Sequence, residues 1–94
     1  MQYAQVEGRT PVRIRLYALS TCSWCKKTKA LLNELGLGYE YIDVDQLDDD
    51  EDVDAVELEV TRFNPACSFP TMVVDDERCI VGFQEDAIRG LLRT

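Results

Sequence analysis

An α/β fold, with a four-stranded mixed sheet flanked by three helices in the order βαβαββα, is what this sequence predicts. Three observations carry it. Val12, Ile14 and Leu16 alternate with Arg13, Arg15 and Tyr17, the period-two pattern of a half-buried strand. Cys25, Thr28, Leu31, Leu32 and Leu35 then recur at helical spacing, and the run Tyr39, Tyr41, Ile42, Val44 follows as a second strand. Finally, Thr71–Val74 and Arg78–Val81 are short apolar runs separated by Asp75-Asp76-Glu77, a tight polar turn of hairpin character. The opening strand, helix, strand unit implies a right-handed crossover and a parallel pair, while the hairpin adds antiparallel strands.

Met1 to Pro11 are weakly patterned and end in a proline, so residues 1–11 are expected to form an N-terminal extension and 12–94 the single domain. In the first strand, two arginines on one face argue against complete burial, so a central strand here must project beyond whatever covers that face. Ser20 and Thr21 offer a cap for a helix from about Cys22 to Leu35, which Gly36 and Gly38 end because glycine accepts the left-handed conformation of a helix stop. Val53, Val56 and Val60 form a helical stripe among charges, predicting a second helix from about Asp49 to Phe63. A last helix, Gln84 to Leu92, turns Ala87, Ile88, Leu91 and Leu92 inward.

Composition narrows the function. At 94 residues with 46% hydrophobic residues, the chain can build one core without disulfide staples, so its four cysteines need another explanation. The absence of histidine removes Cys-His and Ser-His nucleophile pairs and every His-containing metal site. Net charge is −8, and ten of the 18 acidic residues fall between Asp43 and Glu59, which repels nucleic acid and reads as a solvated helix and loop. No apolar run approaches the roughly 20 residues of a membrane span, and Met1 to Thr10 lack the apolar stretch of a secretion signal, so a cytoplasmic location is expected.

The chemistry lies in Cys22-Ser23-Trp24-Cys25, between the first strand and the first helix. Residues i and i+3 share a helix face, so these thiols can close a small disulfide ring with little backbone movement. Cys22 would face the unsatisfied amides and positive dipole end of the helix. Lys26, Lys27 and Lys29 oppose that dipole, so their clustering is easier to understand as thiolate support, Lys26 foremost. Cys22 is then the attacking sulfur and Cys25, one turn inward, resolves the mixed disulfide. A zinc half-site would need two further ligands, and Cys67 and Cys79 do not form a second CxxC; they read as inert cysteines. Trp24 reads equally as an exposed platform for a partner protein and as a ring packed on its own helix.

With Ser68-Phe69-Pro70-Thr71 and Gly82-Phe83 added to Cys22-Ser23-Trp24-Cys25, residues 12 to 93 resemble the glutaredoxin family of the thioredoxin fold. The resemblance implies a thiol-disulfide oxidoreductase that reduces protein disulfides, with no tightly bound cofactor beyond the Cys22–Cys25 disulfide. It implies a cis Pro70 that leaves the backbone of Phe69 available to an extended substrate, and a groove framed by Ser23, Trp24, Phe69, Pro70, Thr71, Gly82 and Phe83. The family's Gly-Gly pair, which holds glutathione, stands here as Val81-Gly82-Phe83-Gln84, so the glutathione site is incomplete. In this the chain is similar to glutaredoxin-like redoxins that take electrons from thioredoxin reductase, and its expected partners are protein disulfides and an upstream reductase, thioredoxin reductase or a ferredoxin-linked one. A monomer is expected. Ser23, where the family usually has proline, keeps one alternative: a dimer holding a [2Fe-2S] cluster through Cys22 and glutathione.

Overall fold

The computed structural model describes residues 3–93, with only the backbone at Arg93. Its elements are β1 (Ala4–Val6), β2 (Ile14–Ala18), α1 (Ser23–Glu34), β3 (Tyr39–Asp43), a 3-10 turn (Val44–Gln46), α2 (Asp50–Phe63), β4 (Thr71–Val74), β5 (Arg78–Val81), α3 (Glu85–Gly90) and a closing 3-10 turn (Leu91–Arg93). This is a thioredoxin-like α/β fold, but its sheet has five strands among the described residues, in the order β1-β3-β2-β4-β5, and not the expected four. The β2–β3 pair is parallel and all others are antiparallel.

The additional strand is β1, which pairs with β3 in the register Ala4↔Tyr41, Gln5↔Glu40, Val6↔Tyr39. Sequence periodicity misses it because three mostly exposed residues carry no alternation; backbone pairing with the edge of β3 holds it. Beyond β1 the chain is tied to the end of α1 by Arg9 N–H to Gly36 C=O (2.8 Å) and Gly38 N–H to Arg9 C=O (2.7 Å). At this crossing a Cβ on Gly8 would lie 2.6 Å from the Gly38 nitrogen, so the two backbones touch because neither residue has a side chain. Gly38 therefore serves this close approach, and Gly36, at φ +69, makes the helix stop alone. The stop is a Schellman motif: Gly36 N–H bonds Asn33 C=O (3.1 Å) and Leu37 N–H bonds Leu32 C=O (3.1 Å), with both leucines in the core.

Alternation along β2 divides the core. Ile14, Leu16 and Ala18 face α1 and α3, where Cys25, Leu31, Leu32, Met72, Ile88 and Leu91 meet them. Tyr17 faces α2 with Ile42, Val44, Val56, Val60 and Val73. The inward stripe of α1 is the expected one, Cys25, Thr28, Leu31 and Leu32. Ile88 of α3 and Leu91 of the closing 3-10 turn are buried, whereas Ala87, expected inward, is exposed. The arginines of the first strand are accommodated in two ways. Arg13 lies just before β2, exposed against Asp76. Arg15 stays in the central strand because Glu40 (3.0 Å), Glu59 (3.0 Å) and Asp76 (3.3 Å) surround its guanidinium. The hairpin loop Asp75-Asp76-Glu77 turns at Asp75 and Asp76, both at positive φ (55° and 57°), and Glu77 N–H closes it on Val74 C=O (3.2 Å).

Candidate active site

The loop after β2 places Cys22 as the N-cap of α1, in extended conformation (φ −82°, ψ 117°). Here the sulfur takes the part a serine oxygen usually plays: Cys25 N–H donates to Cys22 Sγ at 3.2 Å. The first turn of α1 contains no acidic residue, in contrast to α2, which begins Asp50-Glu51-Asp52. The positive end of α1 is thus left for the Cys22 sulfur, which is half-buried. The loop is held from outside by Asp45, whose carboxylate accepts from Ser20 N–H (2.8 Å) and Ser20 Oγ (2.5 Å).

Cys25 is fully buried. Burial is the main reason its thiol is pushed up to about 12; the hydrogen bond and charge of Cys22 act in the same direction, while a backbone bond from Leu19 and the charge of Lys29 oppose them. The two sulfurs therefore differ as the sequence predicts, one at the helix tip and one holding its proton in the core. Lys29 is the lysine that bears on Cys25, from a bridge to Asp43 (2.9 Å) and a position over the Tyr41 ring (4.2 Å). Lys27 sits over the Trp24 ring (4.6 Å), and Lys26 is exposed.

Trp24 is 54% exposed and stacks on Phe83 (centroids 5.9 Å apart, planes at 26°), joining the first turn of α1 to the start of α3. The ring is thus exposed and also packed, on an aromatic that lies outside its own helix. Gly82, at φ +77, donates to Pro70 C=O at 2.8 Å, linking this aromatic pair to the loop before β4. The Phe69–Pro70 bond is cis. Phe69 is half-buried between the two core clusters, and its backbone N–H and C=O have no partner among the described residues. Thr71 is fully buried, its hydroxyl donating to Ser68 C=O (2.6 Å), and Ser23 is exposed.

The residue that sequence reading missed is Asn64, buried at the end of α2 (6% exposed). Its amide reaches Ser68 Oγ (3.0 Å), Ser68 C=O (3.4 Å) and Thr71 Oγ1 (3.0 Å). The signal present in the sequence is a polar, turn-forming Asn64-Pro65 directly after an apolar helix stripe, which marks a helix end but not a hub. Cys79 Sγ donates to Phe63 C=O (3.0 Å). Cys67, half-buried at φ 50°, has its thiol pushed up by burial and by the charge of Glu57. Among the described residues no group of three or more Cys, Asp or Glu is placed to hold a metal ion. After Gly82, where the resemblance would place a second glycine, Phe83 stacks on Trp24, and the Gln84 amide donates to Val81 C=O (2.7 Å).

Comparisons with known proteins agree with this geometry. A family model described as Glutaredoxin matches residues 14–79. The structure is similar to that of methanoredoxin from Methanosarcina acetivorans (48% identity, TM-score 0.87, covering 93% of this chain and 90% of that one). It is also similar to a glutaredoxin from Methanosarcina mazei Go1 (44%, 0.88, covering 100% and 90%). A more distant likeness is to the glutaredoxin-like NrdH-redoxin of Escherichia coli (26%, 0.60, covering 82% and 91%). No helix among the described residues is long and apolar enough to cross a membrane.

Proposed function

The chain belongs to the glutaredoxin family, and from that premise we propose that Cys22 is the attacking and Cys25 the resolving thiol of a reductase of protein disulfides that is recharged by a dithiol reductase. The activity itself, dithiol thiol-disulfide exchange through Cys22 and Cys25, is that of the family. The observation that carries the assignment of roles is the asymmetry of the pair: Cys22 half-buried at a helix N-terminus, Cys25 fully buried, where burial favours its neutral thiol.

The thiolate of Cys22 attacks one sulfur of the substrate disulfide; the other substrate sulfur leaves with the bond's electron pair and takes a proton from water. Once Cys22 is bound in the mixed disulfide it carries no charge and accepts no proton from Cys25, so two of the influences that hold the Cys25 proton fall away. Cys25 then loses its proton and attacks Cys22 Sγ, forming the Cys22–Cys25 disulfide and expelling the second substrate thiolate. Two electrons have passed to the substrate. An extended substrate segment pairs with the open backbone of Phe69, beside the Trp24–Phe83 stack, with Pro70, Gly82 and the buried Thr71 fixing that edge.

Supporting a dithiol donor are the incomplete glutathione site and the likeness to NrdH-redoxin, a protein whose activity profile is described as thioredoxin-like. Thioredoxin reductase and a ferredoxin-linked reductase are the two donor classes this reading admits. Both reacting sulfurs come from one chain, so the working unit is the monomer. The test follows reduction of the oxidised protein by glutathione, by thioredoxin reductase with NADPH and by a ferredoxin-linked reductase. Fast reduction by either reductase is expected. Efficient reduction by glutathione alone overturns the donor assignment, and a Cys25→Ser protein that traps no substrate in a mixed disulfide overturns the assignment of roles.

A further inference from the structure

Among the described residues neither the N–H nor the C=O of Phe69 has a hydrogen-bond partner, so nothing bonded to Phe69 itself sets its place. Its position is inherited from its neighbours. On the C-terminal side, Pro70 C=O is tied to Gly82 N–H (2.8 Å). On the N-terminal side Ser68 C=O accepts from Thr71 Oγ1 (2.6 Å), and the remaining ties of Ala66, Cys67 N–H and Ser68 run to Asn64. Asn64 C=O accepts from Cys67 N–H (2.8 Å), Asn64 Oδ1 accepts from Ala66 N–H (3.2 Å), and Asn64 Nδ2 donates to Ser68 Oγ, Ser68 C=O and Thr71 Oγ1. Ala66 offers only a donor, which fixes the orientation of the side-chain amide and leaves its nitrogen to face the three oxygens. Asn64 is itself anchored, since its N–H closes the last turn of α2 on Val60 C=O (2.8 Å) and its side chain is buried.

We propose that Asn64 is a positioning residue of the disulfide-exchange reaction: acting through Ser68 and Thr71, it sets where the open backbone of Phe69 meets an extended substrate. This rests on the reading that the substrate pairs with Phe69. A small disulfide with no peptide backbone makes no use of that edge, whereas a protein disulfide does, so the role of Asn64 shows only with the second. Asn64→Asp keeps the shape but replaces the donor by an acceptor, opposed to Ser68 C=O and to a Thr71 hydroxyl whose own proton is already given to Ser68. Ser68→Ala removes one of the three acceptors at an exposed position.

The experiment measures kcat and KM for wild type, Asn64→Asp and Ser68→Ala with insulin and with hydroxyethyl disulfide, alongside thermal unfolding of each protein. The expected result is a KM for insulin raised about tenfold in Asn64→Asp and about threefold in Ser68→Ala, with values for hydroxyethyl disulfide within about twofold of wild type. Equal losses on both substrates, or an unchanged KM for insulin in folded variants, overturn the role of Asn64 alone. If Asn64→Asp does not fold, Ser68→Ala decides by the same criteria. A wild-type protein that leaves insulin intact overturns the pairing at Phe69 and this proposal with it.

Discussion

The thiol of Cys25 gives the sharpest test of how burial divides the work between the two sulfurs. An ordinary cysteine, ionising near 9.0, is half thiolate at pH 9; Cys25, pushed up to about 12 chiefly by burial, is thiolate in roughly one molecule per thousand at that pH. Replacing it therefore removes a group that is not ionised anywhere near neutrality. The assay is the ultraviolet absorbance of thiolate, titrated in wild type and in Cys25→Ser. The two curves should coincide from pH 6 to about 10 and separate only above that. Unfolding adds an independent reading. The unfolded thiol releases its proton near 9.0 and the folded one near 12, so between these values the folded state binds more protons, and the stability attached to Cys25 is present below pH 9 and is lost as pH climbs toward 12. Wild type should lose stability across that window more steeply than Cys25→Ser. A thiolate step near pH 9 that disappears in Cys25→Ser would refute the reasoning, because it would mean that the core does not withhold solvent from this sulfur.

Three further outcomes follow from the packing. Phe83→Ala should weaken the interaction with a protein substrate and lower stability by roughly 1–3 kcal/mol, since it removes both the stack on Trp24 and a half-buried side chain packed on the core; KM with insulin and a thermal melt check it. Arg15→Met should destabilise the fold by roughly 1–3 kcal/mol in a urea titration, because Glu40 and Glu59 would keep their charges on the sheet without the guanidinium that satisfies them. Glu40 reports the same event: its carboxyl is held below the usual range although burial pulls upward, by hydrogen bonds from Gln5 and Arg15, and it should rise in the variant when followed by NMR titration. Gly8→Ala should release β1 from β3, seen as fast amide exchange at residues 4–6 and 39–41, with disulfide-reductase turnover unchanged.

What could be read from the sequence was whatever is local. The i, i+3 placement of Cys22 and Cys25, the stripe from Cys25 to Leu32 and the Asp75-Asp76 turn all depend on residues within one or two turns of each other, and each has a periodicity or a backbone preference that announces it. The cis Pro70 was reachable only through resemblance to a family, since an isolated proline gives no such sign. β1 and Asn64 escaped for a shared reason: both derive their roles from partners far along the chain or across a loop. Ala4–Val6 is a strand because Tyr39–Tyr41 offers an open edge, and Gly38 looked like part of a helix stop until Gly8 was found against it. Ala87 shows the opposite error: it lies within α3 beside the buried Ile88, but one residue turns the helix by about 100°, which is enough to leave Ala87 on the exposed side.

The bare first turn of α1 has a consequence for anyone altering this chain. Elsewhere in the molecule a helix start is reinforced with acid, as at Asp50-Glu51-Asp52, and adding an acid at Ser23 or Lys26 would be the obvious way to strengthen α1. At this one place reinforcement and reactivity compete for the same amides: a carboxylate that settles there firms up the helix and denies the sulfur its electrostatic support. A sequence optimised for thermal endurance alone would drift toward a sturdier protein with a duller Cys22.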